Sequence, residues 1–331
     1  MTPIENRNRR SIIFPLWGVL IVPFVVQIAL AVGLVGYLSY RNGQAAVNNV
    51  AQQLRSEITQ RIEEHVQTFL STPHHINQIN ANAMRQGWLD TRALQVLERH
   101  FWEQVQIFDS VTSIYFGNTE GGLVNAGREG AEGALYVILT DEFASGPFNK
   151  YATDAQGEHM ELLATVPDFD ARTRPWYTAA VQKGTGAWSE MYILFTGQDM
   201  AIAASRPVYD DQGRLLGVVS VDIFTSHLGD FLENTRIGQN GQSFIMERSG
   251  LLIASSTDEK PFTAPGGGEA PRRLHARESS VPIIRDAADF LTGRFSDYHA
   301  ITDEQSFEYT TEGERQFLHV LSLIHISEPT R

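Results

Sequence analysis

The chain has 331 residues, enough for two modest folded modules, and its 42% apolar and 20% charged content forces no segment into disorder. A net charge of −13 argues against a nucleic-acid partner, because nucleic-acid-binding surfaces are basic. The absence of cysteine excludes a disulfide framework, a thiolate zinc site, an iron–sulfur cluster and a cysteine nucleophile. Residues 1–10 carry Arg7, Arg9 and Arg10, and no charged residue then occurs from Ser11 to Tyr40. A spanning helix needs about 20 apolar residues, and a secretory signal core has only about 7–15, so residues 11–40 are expected to form an uncleaved transmembrane helix. Trp17 and the pair Tyr37/Tyr40 suit its two interfaces, and only Arg41 follows closely. The positive-inside rule then places the N-terminus in the cytoplasm and everything after Arg41 outside the membrane.

Residues 41–85 are expected to form a long stalk helix. Val47, Val50, Leu54, Ile58, Ile62, Val66 and Phe69 recur at intervals of three and four, with Gln, Arg and Glu between them. Two uses of this stripe stay open: packing on its own domain, or pairing with the same helix in a homodimer. The pair His74-His75 beside Pro73 reads as surface, since no third ligand at metal spacing accompanies it. Asp90 is placed to cap a second helix bearing Leu94, Leu97, Phe101, Val105 and Phe108 on one face.

The period then shortens. Val111–Phe116, Leu123–Ala126, Leu135–Leu139, Met160–Thr165, Met191–Leu194, Met200–Val208 and Gly217–Ile223 read as strands, with a hairpin turn at Asp210-Asp211-Gln212-Gly213. Helices followed by neighbouring strands imply an α+β module with an antiparallel sheet. Thr225–Thr235 reads as a connecting helix. A smaller unit follows: a hairpin of Ser243–Met246 and Leu251–Ser255 about Ser249-Gly250, a polar loop over 257–277, a helix from Pro282 to near Gly293, and strands at Phe295–His299, Phe307–Thr310 and Gln316–Val320. This unit repeats the first in miniature with an incomplete sheet. Gly266-Gly267-Gly268 is not a phosphate cradle, because no Gly-Lys-Ser/Thr follows.

Two stretches carry chemistry. In Arg172-Thr173-Arg174-Pro175-Trp176-Tyr177, Pro175 suits the first position of a helix that Gly184 ends. Arg174, the indole N–H of Trp176 and the free amides of a helix start together suit a carboxylate. The competing reading makes Trp176 and Tyr177 core residues covered by Arg174. In Gly217–Ile223, Val219, Val221 and Ile223 face one side, and Val218, Ser220 and Asp222 the other. A carboxylate so placed is costly to bury alone. Three roles are open to Asp222: pairing with a buried arginine, capping the next helix, or receiving a ligand's ammonium group.

The chain resembles the double Cache sensor domains of bacterial receptors, chemoreceptors and cyanobacterial signalling proteins from about Gln44 to Val320. The resemblance rests on Asp170-Ala171-Arg172-Thr173-Arg174-Pro175-Trp176-Tyr177, then Trp188, Tyr192, Arg206-Pro207-Val208, Gly213, Leu216-Gly217-Val218 and Val221-Asp222. Ile237–Phe244 and Ser249–Ala254 resemble the opening of the membrane-proximal module. The resemblance implies two PAS-like modules with antiparallel sheets, a membrane-distal one at 86–235 holding the ligand site and an incomplete membrane-proximal one at 236–320. It implies that Arg174 and Trp176 hold a ligand carboxylate, while Tyr177, Tyr192 and Asp222 surround its amino group. Two positions depart from the amino-acid binders: Phe169 stands where they have Tyr, and Leu194 where they have Asp.

The expected function is small-molecule sensing by the extracytoplasmic part of an inner-membrane receptor, the ligand being an amino acid or another small carboxylate or amine. The alternative is a dimerisation or protein-interaction ectodomain with a non-functional pocket. No nucleophile–base pair, metal spacing or cofactor motif supports an enzyme. Leu321–Arg331 resembles the in-frame translation of a sequencing adapter, so 321–331 is set aside as an artefact. A C-terminal output domain, such as a histidine kinase or a nucleotide or diguanylate cyclase, is expected to have been lost with it.

Overall fold

A computed structural model describes residues 16–130, 133–193, 199–235, 237, 241–263, 271–295, 297–311 and 313–322. Arg7, Arg9, Arg10, the start of the expected span, Leu194, Gly238-Gln239-Asn240, Gly266-Gly267-Gly268 and residues 323–331 lie outside the described residues. Two compact units divide near Glu57.

The first unit is helical throughout its described part. Helix α1 (Leu16–Arg85) begins in it and continues into the second unit, so the expected membrane and stalk segments are one element. Its first half is long and apolar enough to cross a membrane by length and composition, and its large apolar side chains from Leu20 to Leu38 are exposed. The amphipathic stripe divides the same way. Val47, Val50 and Leu54 are exposed, whereas Val66 and Phe69 are buried.

In the second unit the sheet explains the hydrophobic pattern. Strands β1 (Ser113–Asn118), β2 (Leu123–Glu129), β3 (Ala134–Thr140), β4 (Gly146–Thr153), β5 (His159–Phe169), β6 (Ala187–Trp188), β7 (Tyr192–Ile193), β8 (Met200–Tyr209) and β9 (Leu215–Phe224) form one sheet. Its order is β5-β4-β3-β2-β1-β9-β8-β6, with β7 also on β8, and every pairing is antiparallel. The expected α+β class with antiparallel sheets is what the chain forms.

Strands β1, β8 and β9 are buried on both faces because helices cover both. The C-terminal part of α1 and helix α2 (Leu94–Ile107) cover one face, where Ile76, Leu97, Phe101, Ile114, Phe116, Val219, Val221 and Ile223 meet. Each such fully buried large side chain contributes about 1.5–3 kcal/mol. Helix α3 (Pro175–Lys183) covers the other face, with Trp176, Tyr177 and Ala180 on Tyr115, Ala203 and Val218.

Several expectations are corrected. Asp90 does not cap α2, which starts at Leu94 without a side-chain cap; Asp90 accepts instead from the Arg92 amide in the preceding turn. Of the pair expected at the surface, His75 is exposed, but His74 is half-buried in α1, edge-on against Trp188 at 4.8 Å. Strands β4 and β6 were not expected.

Helix α4 (Thr225–Asn234) joins the sheet to the smaller part. There β10 (Phe244–Met246) and β11 (Leu252–Ser255) pair, followed by α5 (Pro282–Arg294) and the hairpin of β12 (Gln305–Thr311) and β13 (Glu314–Val320). The hairpins are two separate two-stranded sheets among the described residues. Phe295–His299 is not a strand: it is the end of α5 and a single turn whose Asp297 side chain accepts from the His299 amide. Ile245, Ile253 and Ala254 pack into the main core beside Leu228 and Leu232 of α4, so the two parts share hydrophobic contacts.

Candidate functional site

The alternation of β9 places its side chains as the sequence pattern requires. Val219, Val221 and Ile223 enter the core beneath α1 and α2, and Val218 faces α3 with Ser220 and Asp222 on its side. Strand β1 lies beside β9 with Ser113 opposite Asp222 and Tyr115 opposite Ser220. Residues of one face of two adjacent strands therefore converge. The Tyr115 hydroxyl donates to Asp222 Oδ1 at 2.7 Å, and Ser113 Oγ donates to Oδ2 at 3.3 Å. Tyr192, on the short strand β7, stands close enough to the same carboxylate to interact with it.

Asp222 keeps some exposed surface, yet protein atoms crowd its carboxylate. Burial pushes its pKa up to about 6, and the hydroxyls of Tyr115, Tyr192 and Ser113 only partly offset this. Tyr115 and Tyr192 are pushed well above the ordinary tyrosine value, first by burial and then by the Asp222 charge. Tyr136 of β3 is raised for the same two reasons.

Two of the three roles open to Asp222 are thereby closed. Among the described residues it pairs with no lysine, arginine or histidine. The next helix, α4, has Phe224 at its N-cap position and no side-chain cap. The neighbouring Lys150 is engaged elsewhere: it pairs with Glu129 while lying 4.0 Å over the Tyr136 ring. The undescribed segment 194–198 reads Leu-Phe-Thr-Gly-Gln and carries no cation either.

The second stretch starts with a rigid turn. Asp170 accepts from the Arg172 amide and chelates the Arg172 guanidinium, while Ala171 donates its amide to Gly121. Pro175 then opens α3 and Gly184, in the left-handed region, closes it. Trp176 can lie on the sheet because β1 has glycine below it. A Cβ on Gly117 would stand 2.7 Å from the end of the Trp176 ring and 2.9 Å from Ala171. Gly127 makes similar room for Tyr136, whose hydroxyl would be 2.4 Å from an added Cβ. Trp176 packs edge-to-face on Tyr115 at 4.9 Å, which ties α3 to the Asp222 cluster.

The five sequence-predicted residues are thus unequally placed. Tyr192 and Asp222 touch, and Trp176 reaches them through Tyr115. Arg174 is exposed, its guanidinium carbon 6.0 Å from the Phe169 ring centre, and its charge is felt by Tyr192. Tyr177 is buried with its hydroxyl directed to the Asn118 carbonyl at 3.4 Å, not to Asp222. The start of α3 is also poorer in free amides than expected. Pro175 has none, and those of Tyr177 and Thr178 both donate to the Arg174 carbonyl.

Ser113, Tyr115 and Tyr136 were missed from the sequence. Their signal was a polar position and two tyrosines inside otherwise apolar strands, but only the β1–β9 register reveals what they face. A separate cleft of about 250 Å³ lies in the smaller part, between Pro282, Asp286, Tyr309 and Glu314, and includes none of the five.

The chain is similar to several known proteins. The Cache domain family model matches residues 42–320. Methyl-accepting chemotaxis protein McpC of Bacillus subtilis (strain 168) is 29% identical over 93 residues, 28% of this chain and 14% of McpC. Adenylate cyclase 1 of Rhizobium meliloti (strain 1021) is 27% identical over 143 residues, 42% of this chain and 21% of the cyclase. The chain therefore matches only a small share of the length of either relative. Among solved structures, the ligand-binding domain of the Pseudomonas aeruginosa PAO1 amino acid chemoreceptor PctC, in complex with GABA, is similar with a TM-score of 0.39 and 19% identity. That similarity covers 61% of this chain and 74% of the other.

Proposed function

We propose that this chain, which belongs to the Cache domain family, is the small-molecule-sensing part of a transmembrane receptor and binds an amino-acid-like compound at Asp222. A Cache domain is a sensory module, not a catalytic one. The observation that carries the proposal is the Asp222 carboxylate: crowded by protein, held by the hydroxyls of Ser113 and Tyr115, and without a countercharge among the described residues. Buried charges are normally paired, so the missing cation is the natural contribution of an occupant. Tyr192 and Trp176 border it, and Arg174 and Tyr177 lie on the same helix start.

The wider arrangement follows the same reading. The apolar part of α1 crosses the inner membrane with the arginine-rich N-terminus in the cytoplasm, and the residues after Arg41 lie outside. Residues 86–235 form the membrane-distal sensing module and 236–320 the membrane-proximal one. The exposed Val47, Val50 and Leu54 are where two copies pair along α1. The activity that the receptor controls belongs to sequence outside this chain.

The test is thermal unfolding of the full chain in detergent against the twenty L-amino acids, small amines and small carboxylates. A ligand at about 100 times its dissociation constant adds about 2.7 kcal/mol of stability. At least one compound should raise the unfolding temperature, and Asp222→Ala should abolish the shift. Silence across the panel would refute the sensing role.

A further inference from the structure

We infer that the ligand is an amine whose ammonium group is obligatory and whose carboxylate, if it has one, is dispensable; the inference rests on the sensing role proposed above.

The two ends of the site are built to different standards. At the cation end the carboxylate is fixed on a central strand. Its two oxygens are held by Ser113 and Tyr115 from the neighbouring strand, with Tyr192 of β7 close by. Tyr115 is itself only 3% exposed and wedged against Trp176, so this carboxylate cannot swing away to find solvent or a distant lysine. A carboxylate offers about four lone-pair sites, so the two hydroxyl bonds leave room for a further donor on its accessible side. A ligand N–H fits that place, and a ligand carboxylate would be repelled from it.

At the anion end each expected donor is weakened or spent. Arg174 is exposed to water, and its guanidinium rests near the face of Phe169, which has no hydroxyl to add. The Tyr177 hydroxyl already serves the Asn118 carbonyl. Proline occupies the first position of α3, and the next amides but one and two are taken by the Arg174 carbonyl, so only the Trp176 amide stays free among the described residues of that turn. An ion pair with an exposed guanidinium changes affinity by less than about tenfold. Removing the partner of a desolvated charge costs more than about a hundredfold. The ammonium contact therefore decides whether a compound binds, and the carboxylate contact only adjusts how well.

The experiment uses matched triads: L-alanine, ethylamine and propionate; L-leucine, isoamylamine and 4-methylvalerate; L-phenylalanine, phenethylamine and 3-phenylpropionate. Each is titrated calorimetrically into the full chain in detergent, beside Asp222→Asn whose folding is checked by circular dichroism. In any triad that binds, the amine should stay within about tenfold of the amino acid, the acid should be weaker by more than about a hundredfold, and Asp222→Asn should lose the amine. An amino acid that binds while its amine does not, or an acid that binds as well as the amine, overturns the inference and leaves the sensing role standing. Retention of amine binding by a folded Asp222→Asn chain also overturns it. If neither the triads nor the twenty amino acids bind, the sensing role and the inference fall together.

Discussion

Asp222 makes the folded chain less stable at neutral pH than at acid pH. Its pKa rises on folding from the ordinary 3.8 to about 6. The folded chain therefore holds this proton more tightly than the unfolded chain. Stability from this group is fully present below the unfolded pKa and is lost as pH rises through about 6, the reverse of an ion-paired aspartate. The difference of about 2 units amounts to about 3 kcal/mol. Asp222→Asn removes the titration. Asparagine has a single acceptor oxygen and cannot keep both hydroxyl bonds, so the variant also loses about 1–3 kcal/mol, but that loss does not depend on pH. Urea unfolding of both chains at pH 4 and pH 8 isolates the ionisation. At pH 4 the unfolded carboxylate is already partly ionised, so the stability of Asp222→Asn relative to the parent should improve by about 2.4 kcal/mol from pH 4 to pH 8. Equal pH dependence of the two chains would mean that the carboxylate is solvated or already paired, and the reasoning from burial would fail.

Three further outcomes follow from the same geometry. Tyr115→Phe deletes the 2.7 Å bond to Asp222, which favours the ionised form, so the acid limb of amine binding should move to higher pH; an unchanged pH profile would remove Tyr115 from the site. Gly117→Ala puts a Cβ 2.7 Å from Trp176 and should destabilise the chain by about 1–3 kcal/mol in thermal or urea unfolding, as overpacking does, and an unaffected variant would contradict the close contact. The His74 pKa is lowered to about 4, first by burial and then by the Arg206 and Lys183 charges. Its contribution is present above the ordinary 6.5 and is lost as pH falls toward 4, so His74→Gln should lose less stability than the parent over that window.

Strand β9 was legible because Val219, Val221 and Ile223 alternate with Val218, Ser220 and Asp222, and both faces of that alternation meet an apolar layer. Strand β4, Gly-Pro-Phe-Asn-Lys-Tyr-Ala-Thr, was not. It is half-buried at every position, so its sequence shows no period of two, and it is held by ladders on both sides. The aromatic run Phe295–His299 has strand propensity, but Asp297 turns the backbone there, a local competition that composition hides. Asp222 announced itself as an acid out of place. Its partners did not, because Ser113 and Tyr115 are 109 and 107 residues away and reach it only through cross-strand register.

The position of Asp222 in the chain links its charge to the rest of the receptor. Two residues after it, β9 ends and α4 begins at Thr225. Phe231 of α4 stacks on His65 of α1, the ring centres 3.5 Å apart and the planes 5° from parallel. On its other side α4 meets Ile253 and Ala254 of β11. One short helix thus touches the strand that carries Asp222, the part of α1 that bears His65, and the hairpin of the smaller part. A ligand shifts a conformational equilibrium only by its differential affinity for the two states. The about 3 kcal/mol that burial imposes on ionised Asp222 sets the scale: an ammonium that relieves it in one position of α4 and not in another shifts the ratio of the two by about 10². The His65 ring resonances report on that position. Their displacement on adding a binding amine, and its loss in Phe231→Ala with binding retained, is the expected result. Resonances that stay fixed while the amine binds would sever the site from α4.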